Sequence, residues 1–231
     1  MNVFLCLHNA YPGLSKSLYL HDFCPFNSFV TMSTQTINPR TTVLVTIIVV
    51  AAAFRLLQSS PVFSVLSNFT PVGAIALFGG CYFADRWKAF LVPLGALFIS
   101  DVLLNRIYYF DHWTFFYPGA YWIYGSFALV VMLGHFIKKV SVLNVLLSGI
   151  GAALIHWIVS DFGVWAGGNT DITTGQPFTP DFGGLLKCYT LALPYLRNMI
   201  IGNLVFSGIL FGSFEWIKGR YPALHVQPEQ A

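Results

Sequence analysis

Long apolar runs separated by short polar segments dominate the pattern of this chain. A helix needs roughly 20 mainly apolar residues to cross about 30 Å of hydrocarbon, and the gaps between charged residues allow six such helices. The second is short and begins near Pro71, after a predicted N-cap at Thr70. The predicted spans cover residues 41–57, a short stretch from 71, about 89–105, about 118–136, 140–160, and a stretch that begins after Pro194 and ends near Trp216. The pattern therefore predicts an all-α fold, a polytopic membrane bundle of six transmembrane helices.

Composition excludes the main soluble alternatives. Only 9% of the 231 residues are charged, 56% are hydrophobic and the mean hydropathy is +0.67, whereas about 25% of residues are charged in a soluble domain. A water-soluble fold of this composition would lack the polar side chains to cover its surface. The net charge of +3 is too small for a nucleic-acid-binding protein. We therefore expect membrane lipid as the surroundings and no nucleic-acid partner.

The basic residues predict the orientation of the bundle, because Lys and Arg collect on the cytoplasmic side of membrane proteins. With the N-terminus inside, four basic residues face outward: Arg55, Arg106, Lys187 and Arg197. Eight face inward, namely Lys16, Arg40, Arg86, Lys88, Lys138, Lys139, Lys218 and Arg220. This bias predicts a multi-pass protein with both termini in the cytoplasm. The longer loops, and with them the function, are then expected on the outer side.

The first 31 residues fit neither a span nor a secretory signal. Their apolar residues are interrupted at Asn9, Pro12 and Gly13, and the first basic residue is Lys16. Met32 opens a short polar segment directly before the first span. We therefore expect residues 1–31 to be a leader or an over-extended gene start, residues 32–217 to form the six-helix domain, and residues 218–231 to form a short cytoplasmic tail.

Polar residues inside apolar runs are candidates for function, since insertion scales put Asp or Arg at a helix centre at about 2.5–3.5 kcal/mol. Asp101 lies four residues before Asn105, so both are expected on one face at the outer end of the third span. They are predicted to contact a substrate or a cation. The alternative is that Asp101 pairs with Arg106 or Arg197 and only orients helices.

A second set of polar candidates follows in the last two spans. His156 lies within the fifth span and Asp161 just beyond it. A role for His156 in ligand binding or proton transfer competes with that of a neutral histidine hydrogen-bonded inside the bundle. Arg197 and Asn198 open the predicted sixth helix, where a positive charge opposes the helix macrodipole and favours an acidic partner or an anionic ligand.

The outer segment from Asp161 to Pro194 is long for a connection between bundle helices. It is rich in Gly and Thr and then carries an apolar stretch, 184–194, that is predicted as a short interfacial helix. Two interpretations stay open. The segment is either a lid over a vestibule with aromatic residues such as Trp122 and Trp165, or a passive external loop.

Motifs for known chemistry are missing from the sequence. It has no GxxxxGK[ST] phosphate-binding loop and no HExxH zinc motif, and its four cysteines form no ligand-spaced set. No metal, cofactor or disulfide is therefore expected, and any ATP-driven step would use another chain. Gly125 and Ser126 on the fourth span, with His156 on the fifth, are superficially similar to a six-helix intramembrane serine protease. The flanking residues and the helix that carries the histidine do not fit that family.

Five segments resemble an uncharacterised family of bacterial six-helix membrane proteins: NFTPVGAIALFGGCYF at 68–83, LVPLGALFISD at 91–101, YPGAYWIYGSFAL at 117–129, SDFGVW at 160–165 and GLLKCYTLALPYLRN at 184–198. The resemblance covers about residues 41–215 and implies a bacterial cytoplasmic (inner) membrane, but no activity. Helix number, length and orientation are also similar to the S components, the substrate-binding subunits of energy-coupling factor transporters. That likeness is architectural, and it implies outer loops that close over a small molecule and an energy-coupling membrane protein with ATPases in trans.

The sequence thus favours a vitamin- or micronutrient-like small-molecule binding or transport subunit, not an enzyme, with its site beneath the outer loops. The predicted site residues are Asp101, Asn105, His156, Asp161, Arg197, Asn198, Trp122 and Trp165. One alternative is a membrane-embedded enzyme that uses Asp101, His156 and Asp161 in acid–base chemistry. The other is a structural membrane subunit whose buried polar groups only fix packing.

Overall fold

The computed structural model describes residues 38–58, 67–110 and 112–225, which form six α-helices and no strand. The helices are α1 (Pro39–Gln58), α2 (Val72–Tyr82), α3 (Arg86–Leu104), α4 (Ala120–His135), α5 (Val142–Ala166) and α6 (Phe182–Lys218). A π-helical turn, Asn105–Tyr109, extends α3, and a short 3-10 turn, Pro222–Leu224, follows α6. The prediction of an all-α fold is confirmed. The predicted leader, residues 1–31, lies outside the described residues.

Side-chain contacts show that successive helices run in opposite directions. Arg40, at the start of α1, donates to the carbonyls of Tyr82 at the end of α2 and of Leu224 after α6. Arg55, near the other end of α1, pairs with Asp101 near the end of α3. We call the end of the bundle that holds Arg40, Tyr82 and Leu224 the terminal end. The opposite end, which holds Arg55 and Asp101, is the loop end.

Four helices are long and apolar enough to cross a membrane: α1, α3 with its π turn, α5 and α6. The other two are shorter, with 11 residues in α2 and 16 in α4. At 1.5 Å per residue they reach about 16 Å and 24 Å, less than the roughly 30 Å of a hydrocarbon core. The structure therefore describes a membrane protein with four helices of spanning length and two shorter ones.

The short helix α2 lies at the core of the bundle, in contact with each of the other five helices. It is apolar on all sides, as expected for a helix without an exposed face, and its residues are buried from Val72 to Gly80. The Phe78 ring meets Phe211 and Phe214 of α6 edge-on. Burial of this helix, rather than lipid contact, accounts for its uniform hydrophobicity.

Three predicted helix boundaries are wrong. α6 begins at Phe182 rather than after Pro194, so the predicted interfacial helix is its first part. A proline inside a helix removes one backbone N–H···O bond. The other backbone bonds of this 37-residue helix outweigh that loss, so α6 continues through Pro194. α5 continues to Ala166, which puts Asp161 inside the helix and not beyond it. α2 begins at Val72 with Pro71 at its N-cap position and no side-chain cap, so Thr70 is not the N-cap.

Candidate functional site

A buried ion pair at the loop end joins α1 to α3. Arg55 Nη1 lies 2.6 Å from Asp101 Oδ1 and donates to Ser100 Oγ at 2.5 Å. The second carboxylate oxygen of Asp101 accepts from the hydroxyl of Tyr124 at 3.0 Å and from that of Tyr117 at 3.4 Å. Asp101 is only 4% exposed. We call Arg55, Ser100, Asp101, Tyr117 and Tyr124 the loop-end cluster.

The loop-end cluster brings together three elements that the sequence separates. Arg55 comes from the last turn of α1, Ser100 and Asp101 from α3, and Tyr124 from the second turn of α4. Both oxygens of the Asp101 carboxylate are hydrogen-bonded, which is the condition under which a buried charge is tolerated. The alternative partners predicted for Asp101 are therefore wrong, because its partner is Arg55. Arg106 and Arg197 are both exposed.

Asn105 lies one turn beyond Asp101 and is also buried, so the predicted common face is confirmed. Its side-chain amide donates to the carbonyl of Thr114 at 3.1 Å. The bond holds the connection between α3 and α4 against the end of α3. Asn105 therefore supports the chain next to the loop-end cluster.

A second polar contact joins α4 to α5 inside the bundle. His156 Nδ1 lies 2.6 Å from Ser126 Oγ, and the imidazole stacks on Phe127 with 4.4 Å between ring centroids. Ser126 is fully buried and also donates to the carbonyl of Ile123. A hydroxyl with no access to solvent offers no route for a substrate. The contact therefore fits an interhelical hydrogen bond better than a nucleophile with its base.

Aromatic rings of α4 and α5 pack together toward the loop end, and two indole N–H groups there have no partner among the described residues. Trp122 of α4 packs over Gly163 and meets Phe162 at 5.4 Å between centroids. The indole nitrogens of Trp122 and Trp157 are buried, and in the described part of the chain neither has a hydrogen-bond partner. Buried donors of this kind are usually satisfied by water or by a ligand.

Asp161 and Trp165 have different surroundings on the same stretch of α5. The carboxylate of Asp161 is partly buried and forms no ion pair or hydrogen bond with another described residue. Trp165 donates through its indole nitrogen to the carbonyl of Thr179 at 2.9 Å. This bond attaches the loop that follows α5 to the helix itself.

The loop between α5 and α6, residues 167–181, is folded and internally hydrogen-bonded. Asp171 is buried, accepts from the amide and the hydroxyl of Thr173, and forms an ion pair with Lys187 of α6. The hydrogen bond from Lys187 holds the pKa of the Asp171 carboxyl well below its ordinary value and outweighs desolvation, which raises it. A backbone bridge between Thr170 and Pro177 closes the loop. The segment is therefore an ordered cap on the ends of α5 and α6.

The start of α6 is fixed by a side-chain cap. Asp181 Oδ1 accepts from the amide of Gly184 at 2.6 Å and from the hydroxyl of Thr179 at 2.9 Å. The Gly184 bond in the first place, and the Thr179 bond next, lower the pKa of the Asp181 carboxyl. A negative charge at this position is also favoured by the helix dipole.

The argument from the helix dipole does not apply to Arg197. It lies four turns inside α6, is exposed, and has no ion pair with any described residue. Asn198 donates to the carbonyl of Ser67 at 3.0 Å and so ties α6 to the segment before α2. These two residues do not reach the loop-end cluster through any contact of the described chain.

The predicted site residues are thus distributed over several local settings, and the structure adds partners that the sequence did not single out. The sequence singles out neither Tyr117 nor Tyr124, and it predicts Arg55 only as an outward-facing residue near the end of the first span. A buried Asp needs hydrogen-bond donors. The signal for such donors in the sequence is the pair of tyrosines, seven residues apart, at the start of the predicted fourth span. The sequence gives no sign that Asp171 and Lys187 form an ion pair, because both lie in the long outer segment between the fifth and sixth predicted spans.

Apolar helices with internally paired charges define an integral membrane protein of the helix-bundle class. The chain belongs to the family of unknown function DUF6580, whose sequence model matches residues 35–224. The resemblance to an uncharacterised family is therefore confirmed. No significant match was found among curated proteins or among solved structures.

Proposed function

We propose that this multi-pass membrane protein binds a small polar molecule at its loop end, as a binding or transport subunit. The observation that carries the proposal is the Arg55–Asp101 ion pair, which lies within helices of spanning length and is closed off by two tyrosine hydroxyls. Two ionised groups in hydrocarbon are costly. Apolar packing can join helices without ionised groups. An ion pair inside the membrane therefore favours the interpretation as a functional site.

Unsatisfied donors near the same end support a ligand with hydrogen-bond acceptors. The indole nitrogens of Trp122 and Trp157 and the hydroxyl of Thr114 are buried without a partner among the described residues. Carbonyl or carboxylate oxygens of a small molecule would satisfy such groups. The ordered loop at 167–181, fixed by Asp171 and Trp165, caps the end of α5, the helix that carries Trp157.

The orientation supports a site that opens to the outside of the cell. Seven basic residues lie at helix ends and connections of the terminal end, namely Arg40, Arg86, Lys88, Lys138, Lys139, Lys218 and Arg220. By the positive-inside rule this end faces the cytoplasm. The loop end is then external, and a coupling membrane protein with ATPases would dock from the cytoplasmic side.

Native mass spectrometry of the protein purified in mild detergent tests the proposal. We expect a bound small molecule of defined mass in stoichiometric amount. It should be lost from the double variant Arg55→Gln/Asp101→Asn, which removes both charges together and leaves no isolated charge behind. The matched control is Asp85→Asn/Lys88→Gln, which removes an ion pair of the terminal end.

The control should retain the ligand. A ligand that stays bound to the folded loop-end variant would exclude the loop-end cluster as the site. Absence of any ligand from the wild type, with the loop-end variant changed only in stability, would favour the structural-subunit alternative.

A further inference from the structure

A cleft at the terminal end lies between the first turns of α3 and the last turn of α4. It has a volume of about 330 Å³ and is lined by Arg86, Ala89, Phe90, Val131, Met132, His135 and Phe136. This volume is at the lower end of the range for small-molecule sites, roughly 300–1,000 Å³. The cleft is separate from the loop-end cluster, which lies at the opposite end of both helices.

The cleft combines apolar walls with a basic rim. Phe90 and Met132 supply carbon surface, while Arg86 and His135 stand at the ends of their helices. Lys138 and Lys139, just after α4, are exposed and do not line the cleft. The walls and rim of the cleft fit a molecule with an apolar chain and an anionic head.

Arg86 lies at a helix position where a cation is disfavoured and an anion is favoured. It is the first residue of α3, whose first turn contains no acidic residue. A helix N-terminus presents free amides and a partial positive charge, so a cation there is destabilised and an anion is favoured. Asp85 is already paired with Lys88. Arg86 has no ion pair or hydrogen bond with another described residue.

The exposed aromatic residues at this end place the rim of the cleft at a membrane surface. Trp87 is 62% exposed, as is typical of tryptophans in the headgroup region, and Phe136 is 69% exposed. The Lys88 ammonium lies 5.3 Å from the centre of the Trp87 ring. At this depth the available anions with apolar chains are membrane lipids.

We propose that the cleft is a binding site for an anionic phospholipid. Its phosphate contacts Arg86, His135 and the first amides of α3, and part of an acyl chain lies against Phe90 and Met132. Polybasic surfaces attract anionic lipids by about 1 kcal/mol per Lys or Arg. The cleft adds shape to this attraction, so that it holds a single lipid molecule and does not only attract many lipids loosely to the surface.

Lipid exchange followed by native mass spectrometry tests the proposal on the full-length protein. The protein is equilibrated with vesicles of phosphatidylcholine alone, or with vesicles that contain one quarter phosphatidylglycerol. We expect one retained phosphatidylglycerol per chain. Arg86→Gln should weaken its retention about fivefold, which corresponds to about 1 kcal/mol. Met132→Trp, which fills the apolar part of the cleft, should abolish retention.

Lys139→Gln is the matched control, because it removes an equal charge at the same end outside the cleft. It should retain the lipid. Equal losses for Arg86→Gln and Lys139→Gln would show diffuse attraction and overturn the site. Inorganic phosphate that raises thermal stability as much as phosphatidylglycerol does would make free phosphate the occupant. A protein that copurifies with the wild type but not with Met132→Trp would show that the cleft binds a protein partner, and it would overturn the lipid proposal.

Discussion

At the scale of single residues, the Arg55–Asp101 pair shows how a charge is kept inside an apolar bundle. Each oxygen of the Asp101 carboxylate has a donor, and Arg55 is shared between Asp101 and Ser100. A buried pair of this kind adds little net stability, but loss of one partner leaves an isolated charge. The two residues should therefore behave as a unit.

This coupling predicts unequal effects of single and double substitutions. Asp101→Ala should lower the free energy of unfolding by about 3–5 kcal/mol, because Arg55 loses its counter-ion. Arg55→Gln/Asp101→Asn should stay much closer to the wild type, since the amide can still bind the Tyr124 hydroxyl. Thermal unfolding in detergent measures both. A double variant as unstable as the single one would show that the charges themselves hold α1 to α3.

Glycine contacts give a second prediction at this scale. A Cβ on Gly80 of α2 would lie 2.0 Å from the carbonyl oxygen of Val131 on α4. Gly80→Ala should therefore force the helices apart and cost about 1–3 kcal/mol. Gly125→Ala is the control, because a Cβ there meets no atom within 4 Å. It should be neutral or slightly stabilising, given the helix propensity of alanine. Equal melting temperatures for the two variants would contradict the close approach.

At the scale of secondary-structure elements, α6 is much longer than a membrane is thick. Its 37 residues reach about 55 Å, against roughly 30 Å of hydrocarbon. The helix is therefore about 25 Å longer than one direct crossing of the hydrocarbon core.

The ion pair between Asp171 and Lys187 predicts how the loop at 167–181 responds to acid. The pKa of Asp171 is lower in the folded protein than its ordinary value of about 3.9. Its contribution to stability is therefore complete above about pH 4 and is lost as the pH falls through the folded pKa. Hydrogen exchange at the Thr173 and Gly175 amides, corrected for the intrinsic rate, should stay slow down to about pH 4 and accelerate below it.

Asp171→Asn should accelerate the same amides at neutral pH, because the amide side chain cannot form the ion pair. Thr174→Ala, in the same loop, should leave Thr173 slow. Exchange in Asp171→Asn that matches the wild type would show that the backbone bridge alone orders the loop.

At the scale of the whole molecule, the two ends differ in charge. The terminal end holds seven Lys and Arg residues and the apolar cleft, and the loop end holds the buried cluster and the ordered loop. The positive-inside rule predicts that the terminal end faces the cytoplasm, and this orientation is testable.

Cysteine labelling checks the orientation in intact cells. In a variant whose own cysteines are replaced by alanine, Thr174→Cys should react with a membrane-impermeant maleimide. Tyr221→Cys, at the terminal end and 61% exposed as tyrosine, should react only after the membrane is opened. The reverse pattern would invert the bundle and move the predicted ligand site to the cytoplasm.

The sequence alone determined the class of protein, the helical fold and the existence of a buried charge at Asp101. These properties depend on hydrophobicity along the chain, which is local. The sequence predicts helix ends less well. Pro194 predicts a helix end, but it lies inside α6. Only the tertiary structure decided that Arg55 is the partner of Asp101, that His156 meets Ser126, and that Arg86, not Arg197, is the cation at a helix start. Such pairings depend on which helices are neighbours, and neighbours in a bundle are chosen by packing between distant segments.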